Sequence, residues 1–367
     1  MTMQFTQGYA CVIGVGADLP NTVQDAEGIA AILSDPERCA YPVEQVQLLT
    51  GQQAKRENIL AALDRLANST KADATVVIYF SGHGYQFKSD FADVYYLMPY
   101  GYDLQKLKST AISGSEFATR LKAIPAQKLL VLLDCCHAGG LSDLKNLTME
   151  ATKSPLPPEA QALFSQGQGR VMIASSKEDE FSWAGKPYSA FTAALIEVLC
   201  GQGVAKQDGY VRVTDLALHT REVVPQRTRD RQHPILNFEQ ADNFVLAYYA
   251  GGDKTPKGLP FEGEPEVDFE SVENPPQQVV QAIGDRSVAI GGNASHSTIV
   301  TGDGNVVGNN NRVQQVNVEE MQVGDRYDLR KSQGAIVNPG AGTTITQQFG
   351  NTQHINTEGG DYTGGKL

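Results

Sequence analysis

The feature that most constrains the fold is an alternation of short apolar runs with amphipathic stretches through residues 1–250. The apolar runs include YACVIGV, VQLLT, ATVVIYF, KLLVLLD and RVMIA, and the stretches between them include VQDAEGIAAIL and KRENILAALDRLA. Continuous runs are typical of parallel strands buried on both faces, and the stretches have the spacing of helices that cover them. We therefore predict an α/β fold with a mostly parallel sheet flanked by helices, whose functional residues gather at the carboxyl ends of the strands.

Composition changes after residue 250. More than half of the 36 glycines of the chain lie beyond that point, with many asparagines and no cysteine. We predict a folded domain over 1–250, a Pro/Gly/acidic linker over 251–277, and a Gly/Asn-rich tail over 278–367. Short β-forming runs between turn residues in this tail fit a solenoid, a set of hairpins or a flexible segment, and the sequence leaves these open.

Charge and cysteine usage narrow the class of protein. A formal net charge of -12 disfavours nucleic acid and anionic membrane surfaces as partners. No apolar run approaches the roughly 18 residues of a membrane span, and the first residues do not resemble a secretory signal, so we expect a cytoplasmic protein. Five cysteines without a C-x-x-C pair indicate reduced thiols rather than disulfides or structural zinc.

Two strand ends carry residues with chemical potential. One run leads into Ser81-Gly82-His83-Gly84, and a later run leads into Asp134-Cys135-Cys136-His137. If these strands are parallel neighbours, His83 can serve as a base for a cysteine thiol. The glycines predict a sharp backbone turn, and the amides of Gly84 and Cys136 are candidates for an oxyanion hole. Singly, a buried packing thiol or a structural histidine is the more common interpretation.

Together, the SGHG and DCCHAG motifs resemble those of caspase-like cysteine peptidases, especially metacaspases and bacterial orthocaspases. This resemblance extends from about Tyr9 to Tyr249 and makes 1–250 a caspase-like peptidase domain. It implies that Cys136 is the nucleophile and His83 the base. Cys135 is expected on the opposite side of the extended chain, because side chains alternate along a strand. His137 is expected to be a local packing or orienting residue.

Substrate preference is predicted from acidic residues. Asp134 shares a strand face with Cys136, so a carboxylate there favours a cation at the substrate residue before the cut. The resemblance likewise implies an aspartate that holds arginine or lysine. It also implies a second acid, matched by Asp25, although an acid near a helix start has a purely structural interpretation; Asp18 is a weaker substitute. Ser182 and Trp183 resemble a pair that borders the substrate cleft, although packing also explains a single tryptophan.

Metal binding and processing complete the predictions. After the histidine motif the chain offers only Asp90, Asp93 and Asp103, too few oxygen ligands for a dedicated calcium site, so we expect no metal and no cofactor. The segment 143–170 is predicted to be an exposed loop. Self-cleavage after Lys145 or Lys153 is plausible in such a loop.

These features lead to one functional hypothesis and two alternatives. The hypothesis is a cysteine endopeptidase that cuts proteins or peptides after Arg or Lys, in a bacterial defence or cell-death setting suggested by resemblance. Its tail is expected to mediate self-association or to bind a regulatory partner. The alternatives are a catalytically idle caspase-fold scaffold and a Cys-His hydrolase of other amides.

Overall fold

The computed structural model describes residues 3–87, 94–135, 151–153, 156–167, 169–177, 180–238 and 241–269, together with the backbone of short strands in the tail. Two compact units are present, Met1–Gly140 with Leu144–Glu273, and Leu141–Asp143 with Asn274–Leu367. We describe each by itself.

The first unit contains thirteen described strands and seven described α-helices. The strands are β1 (Gly8–Gly14), β2 (Val46–Thr50), β3 (Thr75–Phe87), β4 (Val94–Met98), β5 (Ile112–Ser113), β6 (Lys128–Cys135), β7 (Ala151–Lys153), β8 (Arg170–Ala174), β9 (Gly185–Lys186), β10 (Tyr210–Arg212), β11 (Ile235–Asn237), β12 (Val245–Tyr248) and β13 (Glu266–Val267). The helices are α1 (Asn21–Ser34), α2 (Arg56–Ser69), α3 (Leu107–Thr110), α4 (Gly114–Ala123), α5 (Pro158–Phe164), α6 (Ala190–Leu199) and α7 (Val213–Arg227).

The central sheet has the strand order β11-β8-β6-β3-β1-β2. Its strands are parallel except β11, which runs antiparallel to β8. This confirms the predicted fold class, and the reason is the burial of both faces. Leu130 and Leu132 of β6 pack toward α1, α6 and α7, whereas Leu129, Val131 and Leu133 pack toward α2, α4 and α5. Both faces are covered, so apolar side chains point to both faces along the middle of these strands.

Strand β3 continues through the SGHG motif, and the predicted sharp turn there is wrong. Its parallel pairing with β6 ends at Gly82 opposite Cys135, after which His83 pairs with Met98 of β4. Gly82 meets a packing requirement instead of a turn, because a Cβ at this position would lie 2.7 Å from Cγ2 of Val15. The strand therefore carries His83 past the edge of the parallel sheet.

The segment 143–170 contains a strand and a helix where the structure describes it, rather than only an exposed loop. Strand β7 pairs with the far end of β3, and α5 begins at Pro158, a position that tolerates proline because its missing N–H would have no helical partner. Ala160 and Phe164, four residues apart, are buried. The prediction of a loop is wrong for these two elements, since apolar spacing outweighs the proline-rich composition.

In the second unit, the described backbone consists of short strands: β14 (Ala289–Ile290), β15 (Ile299–Val300), β16 (Val306–Val307), β17 (Thr344–Phe349) and β18 (Asn351–Asn356). The strands β17 and β18 are antiparallel, and β15 pairs in parallel with β17. The proposed boundaries at 250 and 277 and the role of the tail stay predictions.

Candidate active site

The Asp134 carboxylate lies near the end of β6 among hydroxyl groups. It is fully buried and has the same strand parity as Leu130 and Leu132, so it faces α6. Ser189 Oγ donates a hydrogen bond to Oδ2 at 2.7 Å, Thr192 Oγ1 donates to the same oxygen at 3.4 Å, and Ser182 Oγ donates to Oδ1 at 2.5 Å. These donors replace the water that a buried carboxylate loses.

Ser189 owes its position to the start of α6. As the N-cap residue it accepts a hydrogen bond from the Thr192 amide at 3.1 Å, a typical role for serine at a helix start. The same residue contacts a second carboxylate, because its backbone N–H donates to Oδ1 of Asp25 at 2.8 Å. One residue therefore links the two acids that the sequence predicted for the substrate pocket.

Asp25 lies in α1 beyond the first turn and is fully buried. This position does not support its interpretation as an exposed acid at a helix start. Its Oδ2 atom is also buried and has no hydrogen-bond partner among the described residues. A buried carboxylate oxygen without a donor costs free energy, and the deficit is removed when a positively charged group approaches.

The protonation of Asp25 reflects this environment. Burial raises the pKa of its carboxyl well above the ordinary value, and the negative charge of Asp134 raises it further, while hydrogen bonds from Ser189 act in the opposite direction. The folded state then holds the proton more tightly than the unfolded chain. Asp25 therefore contributes fully to the free energy of unfolding at a pH below the ordinary carboxyl pKa. This contribution is lost as the pH rises toward the folded-state pKa.

Gln232 connects Ser182 and Trp183, and sequence reasoning missed it. This fully buried side chain donates through Nε2 to Ser175 O at 2.9 Å and to Ser182 Oγ at 3.2 Å, and its Oε1 accepts the Trp183 amide at 2.9 Å. Ser182 thus contacts Asp134 directly, whereas Trp183 is joined to Gln232 through its backbone amide, and the predicted roles of both in a substrate cleft stay predictions. No local pattern in RDRQHPIL marks this glutamine, since its partners are distant in sequence.

His83 is 2% exposed and its Nε2 atom lies 2.7 Å from Oδ2 of Asp18. Asp18 occupies a turn in which the Leu19 amide donates to Gly16 O at 3.1 Å. In that turn Ala17 has φ 60°, a left-handed conformation that costs a non-glycine residue about 1–2 kcal/mol. Asp18 therefore contacts His83 and is not one of the hydrogen-bond partners described above for Asp134.

The position of the nucleophile lies outside the described residues. The structure describes β6 as far as Cys135, which is buried on the face toward α2 and α4, opposite to Asp134. Cys136, His137 and Lys145 follow in the segment without a description. Gly84 is paired with Leu97 of β4, and the side chain of Lys153 is likewise not described. The roles assigned to these residues stay predictions.

Within the described part of the chain, no group of three or more His, Cys, Asp or Glu side chains could hold a metal ion. Asp90 and Asp93 lie outside the described residues, and Asp103 caps a short 3-10 helix by accepting the Gln105 amide. The expectation of no calcium site stays a prediction. None of the described helices is long and apolar enough to cross a membrane.

Comparison with known proteins gives concordant results. The family model described as the caspase domain matches residues 7–245. Metacaspase-1A of Neurospora crassa is 28% identical over 142 residues, which cover 36% of this chain and 31% of that protein. Metacaspase-1B of Aspergillus terreus is 28% identical over 179 residues, which cover 43% of this chain and 46% of that protein. The matched region thus spans less than half of either relative, and the match of the family model shows that this chain belongs to the caspase domain family.

Proposed function

We propose that the protein is a cysteine endopeptidase that cleaves protein substrates after arginine or lysine. The observation that carries the preference is the unpartnered, buried Oδ2 of Asp25 beside the buried Asp134. Two carboxyl groups joined through Ser189, one of which can release a proton when a cation binds, form the proposed pocket, and family membership supports peptidase chemistry. A guanidinium or ammonium group supplies the donors and the charge that this pocket lacks.

In the proposed reaction, His83 accepts the proton of the Cys136 thiol. The thiolate sulfur attacks the scissile carbonyl carbon, and the amides of Gly84 and Cys136 stabilise the oxyanion. The C–N bond then breaks as the imidazolium returns its proton to the leaving amine. Water hydrolyses the resulting thioester, with His83 again as the base, and the free thiol is regenerated.

Asp18 is proposed as a positioning residue in this sequence. Its contact with Nε2 of His83 selects the tautomer protonated there, which leaves Nδ1 to exchange protons with the thiol. The carboxylate also stabilises the imidazolium that forms during the reaction. Because Asp18 is about half exposed, water screens part of this effect.

Asp18→Asn is expected to lower kcat by roughly tenfold to a hundredfold while leaving KM nearly unchanged. Steady-state kinetics that separate kcat from KM test this, with the exposed Asp242→Asn as control. An unchanged kcat, or a loss that lies in KM alone, would assign Asp18 a structural role only.

Binding of a cation is expected to release protons from Asp25. A positive charge near Oδ2 favours the ionised carboxylate and so reverses the raised pKa of this group. Titration of a Cys136→Ala variant with a peptide ending in arginine, in buffers of different ionisation enthalpy, should show release of up to one proton and tighter binding as pH rises. Asp25→Asn should remove this release. Equal release by both proteins would place the protonated group elsewhere.

The general test of function is digestion of a peptide library by the wild type and by Cys136→Ala, read by mass spectrometry. Cuts after Arg or Lys that need Cys136 support the proposal. Binding without cuts would favour the idle scaffold, and release of ammonia from small amides alone would favour the other hydrolase. A bacterial defence or cell-death role, a regulatory or assembly role for the tail, and self-cleavage after Lys145 or Lys153 are part of the same proposal.

A further inference from the structure

Residues 261–269, which we call the strap, include the short strand β13 and lie beside the chain that follows Ser182. Their strand β13 pairs antiparallel with β9, with Glu266 opposite Lys186 and Val267 opposite Gly185. The pairing continues toward the pocket, since the Asp268 amide donates to Ala184 O at 2.9 Å. The strap lies in the segment predicted as a linker, where composition gives no sign of a strand.

The segment beside the strap, residues 182–186, borders the proposed pocket. Ser182, whose hydroxyl contacts Asp134, is followed by Trp183, Ala184 and then β9. The contact is close at Gly185, where a Cβ would lie 2.6 Å from the backbone oxygen of Glu266. A glycine therefore allows the two backbones to approach directly at this point.

Aromatic contacts hold the strap at both ends. Phe269 packs on Trp183 with ring centroids 5.0 Å apart, and the Arg229 guanidinium lies 4.1 Å from the centroid of Phe269. At the other end, Phe261 contacts Tyr188 at 5.8 Å. Phe261 and Val267 also pack against the edge of the main core while remaining partly exposed, so the strap is attached by several separate contacts.

An extended substrate needs the same groups. A peptide that places a cation between Asp25 and Asp134 must pass Ser182, and the backbone that follows is the available partner for strand addition. The backbone groups of Ala184 to Lys186 that bond the strap cannot bond a substrate at the same time. The strap contains no Lys or Arg, so it does not offer the pocket a cation of its own.

We infer that the strap is an internal occupant of the substrate-binding edge, which extended peptides must displace and which is not itself cleaved. This inference rests on the proposed function. An extended substrate binds only to molecules in which the edge is open, so its apparent affinity falls in proportion to that open fraction. A substrate with one arginine and no preceding residues fills only the pocket and should be nearly insensitive to the strap.

The test uses the full chain with Asp268→Pro, which removes the N–H donated to Ala184, and separately Phe269→Ala, which removes the contact with Trp183. The exposed Glu264→Ala serves as control. We expect kcat/KM for a tetrapeptide ending in arginine to rise about tenfold or more, with little change for a single-arginine amide. Trp183 is the only tryptophan, so its fluorescence should shift toward an exposed environment in both variants and shows that the strap has moved.

A binding measurement separates this inference from the peptidase proposal. The same variants are made with Cys136→Ser, and the anisotropy of a labelled tetrapeptide ending in arginine gives its affinity without turnover. Binding about tenfold tighter than in Cys136→Ser alone supports the strap, even if the Cys136 proteins hydrolyse nothing, a result that would overturn the peptidase proposal. Equal affinity, or no binding by any variant, would overturn the strap.

Discussion

Cys136→Ala and His83→Ala are each expected to abolish peptide hydrolysis. The expected loss is on the order of a millionfold in kcat, the size seen when either the nucleophile or the histidine base of a hydrolase is removed. The reason is that a thiol without a base is rarely ionised at neutral pH, and a base without a nucleophile has nothing to activate. Initial rates with a fluorogenic peptide ending in arginine measure the loss, and thermal unfolding verifies that each variant is folded.

The matched control is Cys135→Ala, which is expected to retain most of its activity. Cys135 packs on the face of β6 that is opposite to Asp134, so its thiol is buried in the core toward α2 and α4. Its removal leaves a small cavity that costs stability but no reacting atom. If Cys135→Ala were inactive and Cys136→Ala active, the assignment of the nucleophile would be reversed.

Asp134→Asn is expected to lower kcat/KM for arginine and lysine substrates by about a hundredfold or more. A cation that enters a buried recess loses its hydration and is compensated by the carboxylate, so deletion of that charge should cost roughly 3 to 5 kcal/mol in the transition state. Asparagine preserves the shape of the side chain. Fluorogenic peptides ending in Arg, Lys, Gln and Asp, assayed in parallel, separate the loss of charge from a general loss of activity.

Asp25→Asn should act in the same direction, because the recess is shared through Ser189. The wild type should reject peptides ending in Asp, since an acid placed against the buried Asp134 carboxylate is both desolvated and repelled. A preference for Asp, or an Asp134→Asn enzyme that cleaves arginine peptides as well as the wild type does, would contradict the cationic pocket.

Local sequence patterns predicted the framework of the molecule well. Apolar runs were sufficient for the parallel strands, because burial on both faces favours apolar residues at consecutive positions. The alternation of side chains also anticipated that Asp134 and Cys135 lie on opposite faces of β6. The pattern around His83 was misleading, because two glycines suggested a turn where Gly82 allows a close approach to Val15 and the strand continues.

Residues whose partners are distant in the chain could not be predicted. Asp18 was considered for the pocket, yet it contacts His83 across 65 positions of sequence. No local sequence pattern marks Gln232 or the strap. Gln232 is positioned by its contact with Ser182, and the strap is positioned by its pairing with β9. Side-chain hydrogen bonds and short strand pairings depend on residues that are close in space but distant in sequence. Composition and local spacing do not identify such individual contacts.

The sequence by itself determined the α/β class, the positions of the main strands along the chain and the motifs that indicate a cysteine and a histidine at the ends of two strands. It did so because hydrophobic periodicity and motif residues are local properties of the chain. Only the tertiary structure decided that Asp25 and Asp134 share Ser189, that Asp18 faces His83, and that β13 pairs with β9. The first arrangement follows from packing α1, α6 and the end of β6 together, and the other two depend on the turn before α1 and on a short strand pairing, since burial and electrostatic contact are properties of the assembled fold.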